Sequence, residues 1–204
     1  MSDTFDTYDY VAVIAPGAFV ALPLLAAWPE LDTLIGKDFD LADFGLFLVF
    51  AFGVGHLVQA LGNILEDFVW WLNGGWPTGK VLQTGSGVIG DDQRESIEKK
   101  IKGSYANFKF DGLSAAAWRG HIREIYSKLA AADKAGQVDR LNRVYGMVRG
   151  LAAAMLVLSV WALITGNMLQ AAIAFLLAGV GLWRMQRFGQ GYARELFAAY
   201  LALT

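Results

Sequence analysis

Four apolar segments decide what this chain can fold into. A helix needs about 20 consecutive apolar residues to cross roughly 30 Å of hydrocarbon, because each residue advances it about 1.5 Å. Residues 10–28, 41–72, 145–165 and 168–186 meet that requirement, and the first carries no charge at all. In lipid every backbone N–H and C=O must be satisfied within the segment, so each is expected as a helix. Pro16 and Pro23 stand seven residues apart in the first span, which predicts a bend and a packing partner there. Only Gly166 and Asn167 separate the last two spans, so these must form an antiparallel hairpin. The expected fold class is all-α: a polytopic membrane protein with about four transmembrane helices and a helical cytoplasmic loop domain.

Charge gives the orientation. The total is only −2, but residues 1–74 hold ten acids and one base, Lys37, whereas residues 75–204 hold nine acids and sixteen bases. Residues 75–149 alone hold thirteen bases against eight acids, and Arg184, Arg187 and Arg194 crowd the end of the fourth span and the tail. The positive-inside rule places that long loop and the C-terminus in the cytoplasm, and an even number of spans places the N-terminus there too. The expectation is a bacterial inner-membrane protein in four parts. These are an N-terminal transmembrane pair at 1–74, a basic helical loop at 75–144, a transmembrane hairpin at 145–186 and a cytoplasmic tail at 187–204. The acidic start lacks the basic region of a secretory signal, so the first span reads as retained. Trp28, Trp70, Trp71, Trp76 and Trp183 fall at span ends, where amphipathic rings anchor at headgroups.

The most informative pattern lies inside the second span. Its polar residues are His56, Gln59, Asn63, Glu66 and Asp67. At about 100° per residue, with His56 at zero, the others fall near −60°, −20°, −80° and +20°. Gly45 shares that face, and Phe50, Val54, Leu57, Val58, Leu61 and Leu65 make up the apolar remainder. Such a stripe does not face lipid, because each unpaired polar group there costs several kcal/mol. It is either interhelical glue within one subunit, a substrate pathway, or the lining of a water-filled axis between copies. On the pore-lining reading, Glu66 or Asp67 forms a carboxylate ring that favours cations. Spans three and four carry small residues at spacings of three and four, among them Gly146, Gly150, Ala154, Ala174, Ala178 and Gly181, which read as packing faces.

In the loop, residues 75–90 are Gly-rich. One helix is expected from a cap at Asp91 or Asp92 through Lys102, a second from a Ser114 cap to about Asp133, and a third from about Gly136 into span three. Residues 74–80 have the spacing of a phosphate-binding loop, but Val81 stands where the Mg²⁺-binding hydroxyl belongs and a membrane helix precedes it, so nucleotide hydrolysis is not expected. Arg149, Arg184 and Arg187 read as lipid-headgroup contacts. Lys99, Lys100, Lys102, Arg119 and Arg123 are far along the chain from either span, and are candidates for an anion-binding surface whose natural ligand is a nucleotide or short nucleic acid.

No enzyme is expected. The chain has no cysteine and only two histidines, His56 and His121, which excludes thiolate sites, disulfides and polyhistidine metal clusters; neither metal nor cofactor is implied. In layout the chain resembles small four-span bacterial membrane effectors of nucleotide-signalled phage defence, the Hailong-type channel subunits. The residues that carry this are His56-Leu57-Val58-Gln59-Ala60-Leu61-Gly62-Asn63, Tyr145-Gly146-Met147-Val148-Arg149 and Arg187-Phe188-Gly189-Gln190-Gly191-Tyr192-Ala193-Arg194-Glu195. The resemblance implies an antiviral, homo-oligomeric ion channel gated by a nucleic-acid-like ligand at the basic surface. A non-conducting accessory or structural membrane protein is the alternative, and a small transporter the third reading; the striped second span has no counterpart in the second pair, which argues against an inverted repeat.

Overall fold

The computed structural model describes residues 7–27 and 41–203; Trp28, Lys37 and the acidic connection at 29–40 lie outside them. Among the described residues there are seven helices and no strand: α1 (Thr7–Ala27), α2 (Leu41–Leu72), α3 (Pro77–Lys80), α4 (Asp91–Lys102), α5 (Ala115–Ala131), α6 (Gly136–Ile164) and α7 (Met168–Leu201). Helices α1, α2, α6 and α7 are long and apolar enough to cross a membrane. The chain divides into two units, residues 1–69 with 143–185 and residues 70–142 with 186–204.

In the first unit small residues set the packing. A Cβ on Gly17 would strike the Ala51 carbonyl and the Gly55 backbone, and one on Gly55 would strike the Val13 carbonyl. Position 17 thus meets 51 while 13 meets 55, so α1 and α2 run antiparallel. Helices α2 and α6 are also antiparallel, because Gly62 lies against Arg149 whereas the later Glu66 reaches back to the earlier Tyr145. A Cβ on Gly181 would come within 2.9 Å of the Ala152 Cβ, and the Ser159 hydroxyl donates to the Ala171 carbonyl at 3.0 Å, which closes α6 and α7 into the expected hairpin. Gly166, at φ 79°, makes the turn, and the Asn167 N–H caps the Ala162 carbonyl at 2.8 Å. Val20, Val58, Ala153 and Ala154 form a buried core where α1, α2 and α6 meet. Between helices in lipid the hydrophobic drive is absent, so close backbone approach at Gly and Ala carries association.

The second unit has a core of its own. Ile97 and Ile101 of α4, Trp118, Ile125 and Leu129 of α5, and Val138 at the start of α6 pack with Ala193, Leu196, Phe197 and Tyr200 of α7. Helix α7 does not stop at the end of its span; residues 186–204 join residues 70–142 because apolar side chains at three- and four-residue spacing continue to Tyr200. Trp118 stacks on Phe197 with ring centroids 6.0 Å apart and meets Phe110 edge-on at 5.4 Å. Its indole N–H donates to the Thr78 carbonyl at 2.7 Å, so the 74–80 segment ends in a single helical turn, α3, propped by a tryptophan, with a helix rather than a strand before it.

Two local expectations shift. Gly90, not Asp91 or Asp92, is the N-cap of α4, and the Asp91 carboxylate accepts the Gly85 N–H at 3.0 Å instead. Ser114 caps α5 as expected, accepting the Ala117 N–H at 3.2 Å. Trp70 is not an exposed anchor: it is 2% exposed, whereas Trp71, Trp76 and Trp183 are open.

Candidate functional site

The polar stripe of α2 divides by rotation angle into two rows with different surroundings. Gln59 and Glu66, near −60° and −80°, turn toward α1 and α6. Glu66 is 4% exposed. The Tyr145 hydroxyl donates to its Oε1, and the Arg149 guanidinium pairs with its Oε2 at 2.5 Å. Gln59 accepts from Arg149 Nη2 at 3.3 Å and donates to the Ala12 carbonyl at 2.9 Å. Its amide also sits where a Cβ on Gly150 would be, 2.5 Å from Nε2. One connected network therefore ties α2 to α1 and α6. Gln59 and Glu66, expected with the others on a single lining, instead join helices of the same chain, because Gly62 and Gly150 let the Arg149 stem and the Gln59 amide enter between backbones.

His56, Asn63 and Asp67 lie within about 20° of one another's mean direction on the helix and are exposed. The His56 ring meets Phe52 one turn earlier, edge-on at 4.5 Å. The next arc, at about 80° to 140°, holds Leu57, Leu61, Ile64 and Phe68, all exposed and all apolar. The helix thus presents three faces in order: a packed one, a polar exposed one and an apolar exposed one. Gly45 lies open on α2, with nothing near its Cβ position.

The structure separates the candidate headgroup bases. Arg149 turns inward to Glu66, because a buried carboxylate needs an ion partner. Arg184 and Arg187 are exposed on α7.

The candidate anion-binding bases are separated in part. On α4 the core face is Ile97 and Ile101; Lys99 and Lys102, three residues apart, share the outer side about 60° from each other, and Lys100 turns to a different one. Lys100 caps the end of α7: its ammonium donates to the carbonyls of Tyr200 at 2.9 Å, Leu201 at 3.4 Å and Leu203, and lies 5.1 Å over the Tyr200 ring. Lys102 pairs with Glu98 at 3.3 Å. Lys99 is exposed on the opposite side from the core, and Arg119 and Arg123 are exposed together one turn apart on α5. Nothing in the sequence marked Lys100 as a helix cap, since its carbonyl partners are about a hundred residues away.

A second polar group in this unit is structural. Glu124 accepts from Tyr105 at 2.9 Å, pairs with Lys128 at 2.7 Å and lies 3.6 Å from His121 Nδ1. The hydrogen bond from Lys128 is the main cause that holds the Glu124 carboxyl below its ordinary value of 4.5, and the same bond raises Lys128 above 10.5. His121 is wedged between the rings of Phe108 and Tyr105 at 4.9 and 5.2 Å. Among the described residues no three His, Cys, Asp or Glu side chains gather as metal ligands.

Compared with protein-family models, curated proteins and solved structures, the chain finds no match.

Proposed function

We propose that this chain is the subunit of a homo-oligomeric cation channel in the bacterial inner membrane, with both termini cytoplasmic and α2 lining the conduit through His56, Asn63 and Asp67. The observation that carries the reading is that these three polar side chains stand exposed on a spanning helix, beside an arc that is wholly apolar. Facing acyl chains, each would cost several kcal/mol; facing water along an axis between copies, they cost little. Asp67 supplies the uncompensated negative charge, since Glu66 is neutralised by Arg149, and a carboxylate ring favours cations.

The second unit is the cytoplasmic sensor in this reading. Arg119 and Arg123 supply the exposed basic pair, on the side of α5 away from the buried Trp118, Ile125 and Leu129. An anionic nucleotide or short oligonucleotide is the ligand such a pair suits, in line with the resemblance to phage-defence effectors. The test of the channel itself is ion conduction by the purified full chain in planar bilayers. A cation-selective current supports the reading. Its absence from correctly inserted protein leaves the polar row to a different membrane partner, and the chain to an accessory role.

A further inference from the structure

The first proline of α1 leaves a gap that α2 fills. In a regular helix the Ala12 carbonyl accepts the N–H of the residue four positions on. That residue is Pro16, which has no N–H and whose ring pushes the carbonyl out of line. In a spanning segment such a carbonyl finds no water, and leaving it bare costs as much as a lost hydrogen bond. The bond comes instead from α2, where the Gln59 amide nitrogen donates to the Ala12 carbonyl at 2.9 Å.

The surroundings are built around this bond. Pro16 is fully buried, and Gly150 of α6 leaves room for both partners: a Cβ there would lie 3.1 Å from Pro16 Cγ and 2.5 Å from Gln59 Nε2. The amide is held at its other end too, where Oε1 accepts from Arg149 Nη2 at 3.3 Å. An amide that gives its nitrogen to a carbonyl and its oxygen to a guanidinium has one orientation that satisfies both. Gln59 therefore cannot turn away without losing two bonds. Past the proline α1 is fixed differently, by backbone contact of Gly17 against Ala51 and Gly55.

We infer that Pro16 is a hinge in α1 and that Gln59 is the latch that holds it in place. A proline inside a helix removes the bond that would stiffen that turn and lets the segments on either side pivot. Here a single amide bridges the segment before the proline to α2. The latch is tied through Arg149 to Glu66, so the buried ion pair and the direction of the first turns of α1 belong to one conformational device. Gln59 acts as a positioning residue, through the Ala12 carbonyl. The inference is independent of conduction.

The cysteine-free sequence makes the test direct. Pairs of spin labels are placed on exposed positions of the full chain, Val11 with Leu57 before the proline and Leu22 with Leu57 after it, and distance distributions are measured in bilayers by pulsed dipolar spectroscopy. Gln59→Met keeps the length of the side chain and removes both polar ends. It should make the Val11–Leu57 distribution about twice as wide as in the parent and leave the Leu22–Leu57 distribution unchanged. Adding Pro16→Ala, which restores an N–H for the Ala12 carbonyl, should return the first width to the parent value. Gln59→Glu, which keeps an acceptor for Arg149 and removes only the donor to Ala12, should broaden the first pair as Gln59→Met does, and serves where that variant does not insert. Equal broadening of both pairs, or none of the first, overturns the inference; so does a Pro16→Ala/Gln59→Met chain that stays as broad as Gln59→Met alone.

Discussion

Replacing Arg149 by Met should destabilise the first unit far more than replacing both members of its pair. The change removes the ion partner of a carboxylate that is 4% exposed and leaves Glu66, among the described residues, the Tyr145 hydroxyl. It also takes one of the two hydrogen bonds from the Gln59 side chain, leaving the bond to the Ala12 carbonyl. An uncompensated buried charge of this kind costs about 3–5 kcal/mol, between roughly a hundredfold and several thousandfold in the folding equilibrium. The methionine keeps the apolar stem, and Gly62, whose Cβ would lie 3.3 Å from the Arg149 Cγ, still accommodates it. In the double variant Glu66→Gln/Arg149→Met no charge remains to be stranded, and the orphaned Arg149 Nε is gone as well. The loss should then shrink to about 1 kcal/mol, since replacing a whole buried pair is often near neutral. The assay is reversible unfolding of the full chain in mixed micelles, with the two single variants and the double variant completing the cycle. A coupling energy of at least about 2 kcal/mol is expected; strictly additive costs below about 1 kcal/mol each would refute the idea that the pair closes the α2–α6 contact.

Two further outcomes concern the second unit. Because the Glu124 carboxyl is held below 4.5 in the folded protein, its contribution is complete above that pH and is lost as pH falls through the lower folded value. Amide-exchange protection of α5, corrected for intrinsic rates, should drop on acidification from pH 5 to 3.5 by the equivalent of about 0.2–1 kcal/mol, and Glu124→Gln should flatten that drop; an identical acid response in the variant would count against the assignment. For the sensor role, binding of a short single-stranded oligonucleotide should weaken with salt, and Arg119→Ala/Arg123→Ala should lower the log–log slope by about 1.4, roughly 0.7 for each phosphate contact removed; no salt-sensitive binding by the parent chain would dismiss it.

The span count, the hairpin at Gly166 and the loop helices were legible in the sequence because each rests on local pattern: apolar length, a turn residue, a Ser114 cap. The division of the α2 stripe was nearly legible. Its five residues fall within about 100° of arc, but which edge faces neighbours depends on where α1 and α6 dock, and that is set by Gly17, Gly55, Gly62 and Gly150 contacting residues far away in the chain. For the same reason Arg149 read as a headgroup base: its partner Glu66 is 83 residues distant. The tail was missed although Ala193, Leu196, Phe197 and Tyr200 show helical spacing, because the fourth span was closed at Gln186 on hydropathy alone. The lysines of α4 read as one cluster because they are close in sequence; on a helix Lys100 turns about 100° away from Lys99, toward carbonyls that sequence does not reveal.

The claim on which the rest depends is that the outward row of α2 meets water and ions. Reversal potentials in a KCl gradient across a planar bilayer measure this for the purified full chain and its variants. Asp67→Asn should move the reversal potential toward zero, while Glu66→Gln/Arg149→Met, which removes a charge already neutralised, should leave cation preference as it is. Unaltered potentials in Asp67→Asn, or selectivity that instead follows the Glu66 pair, would contradict the account.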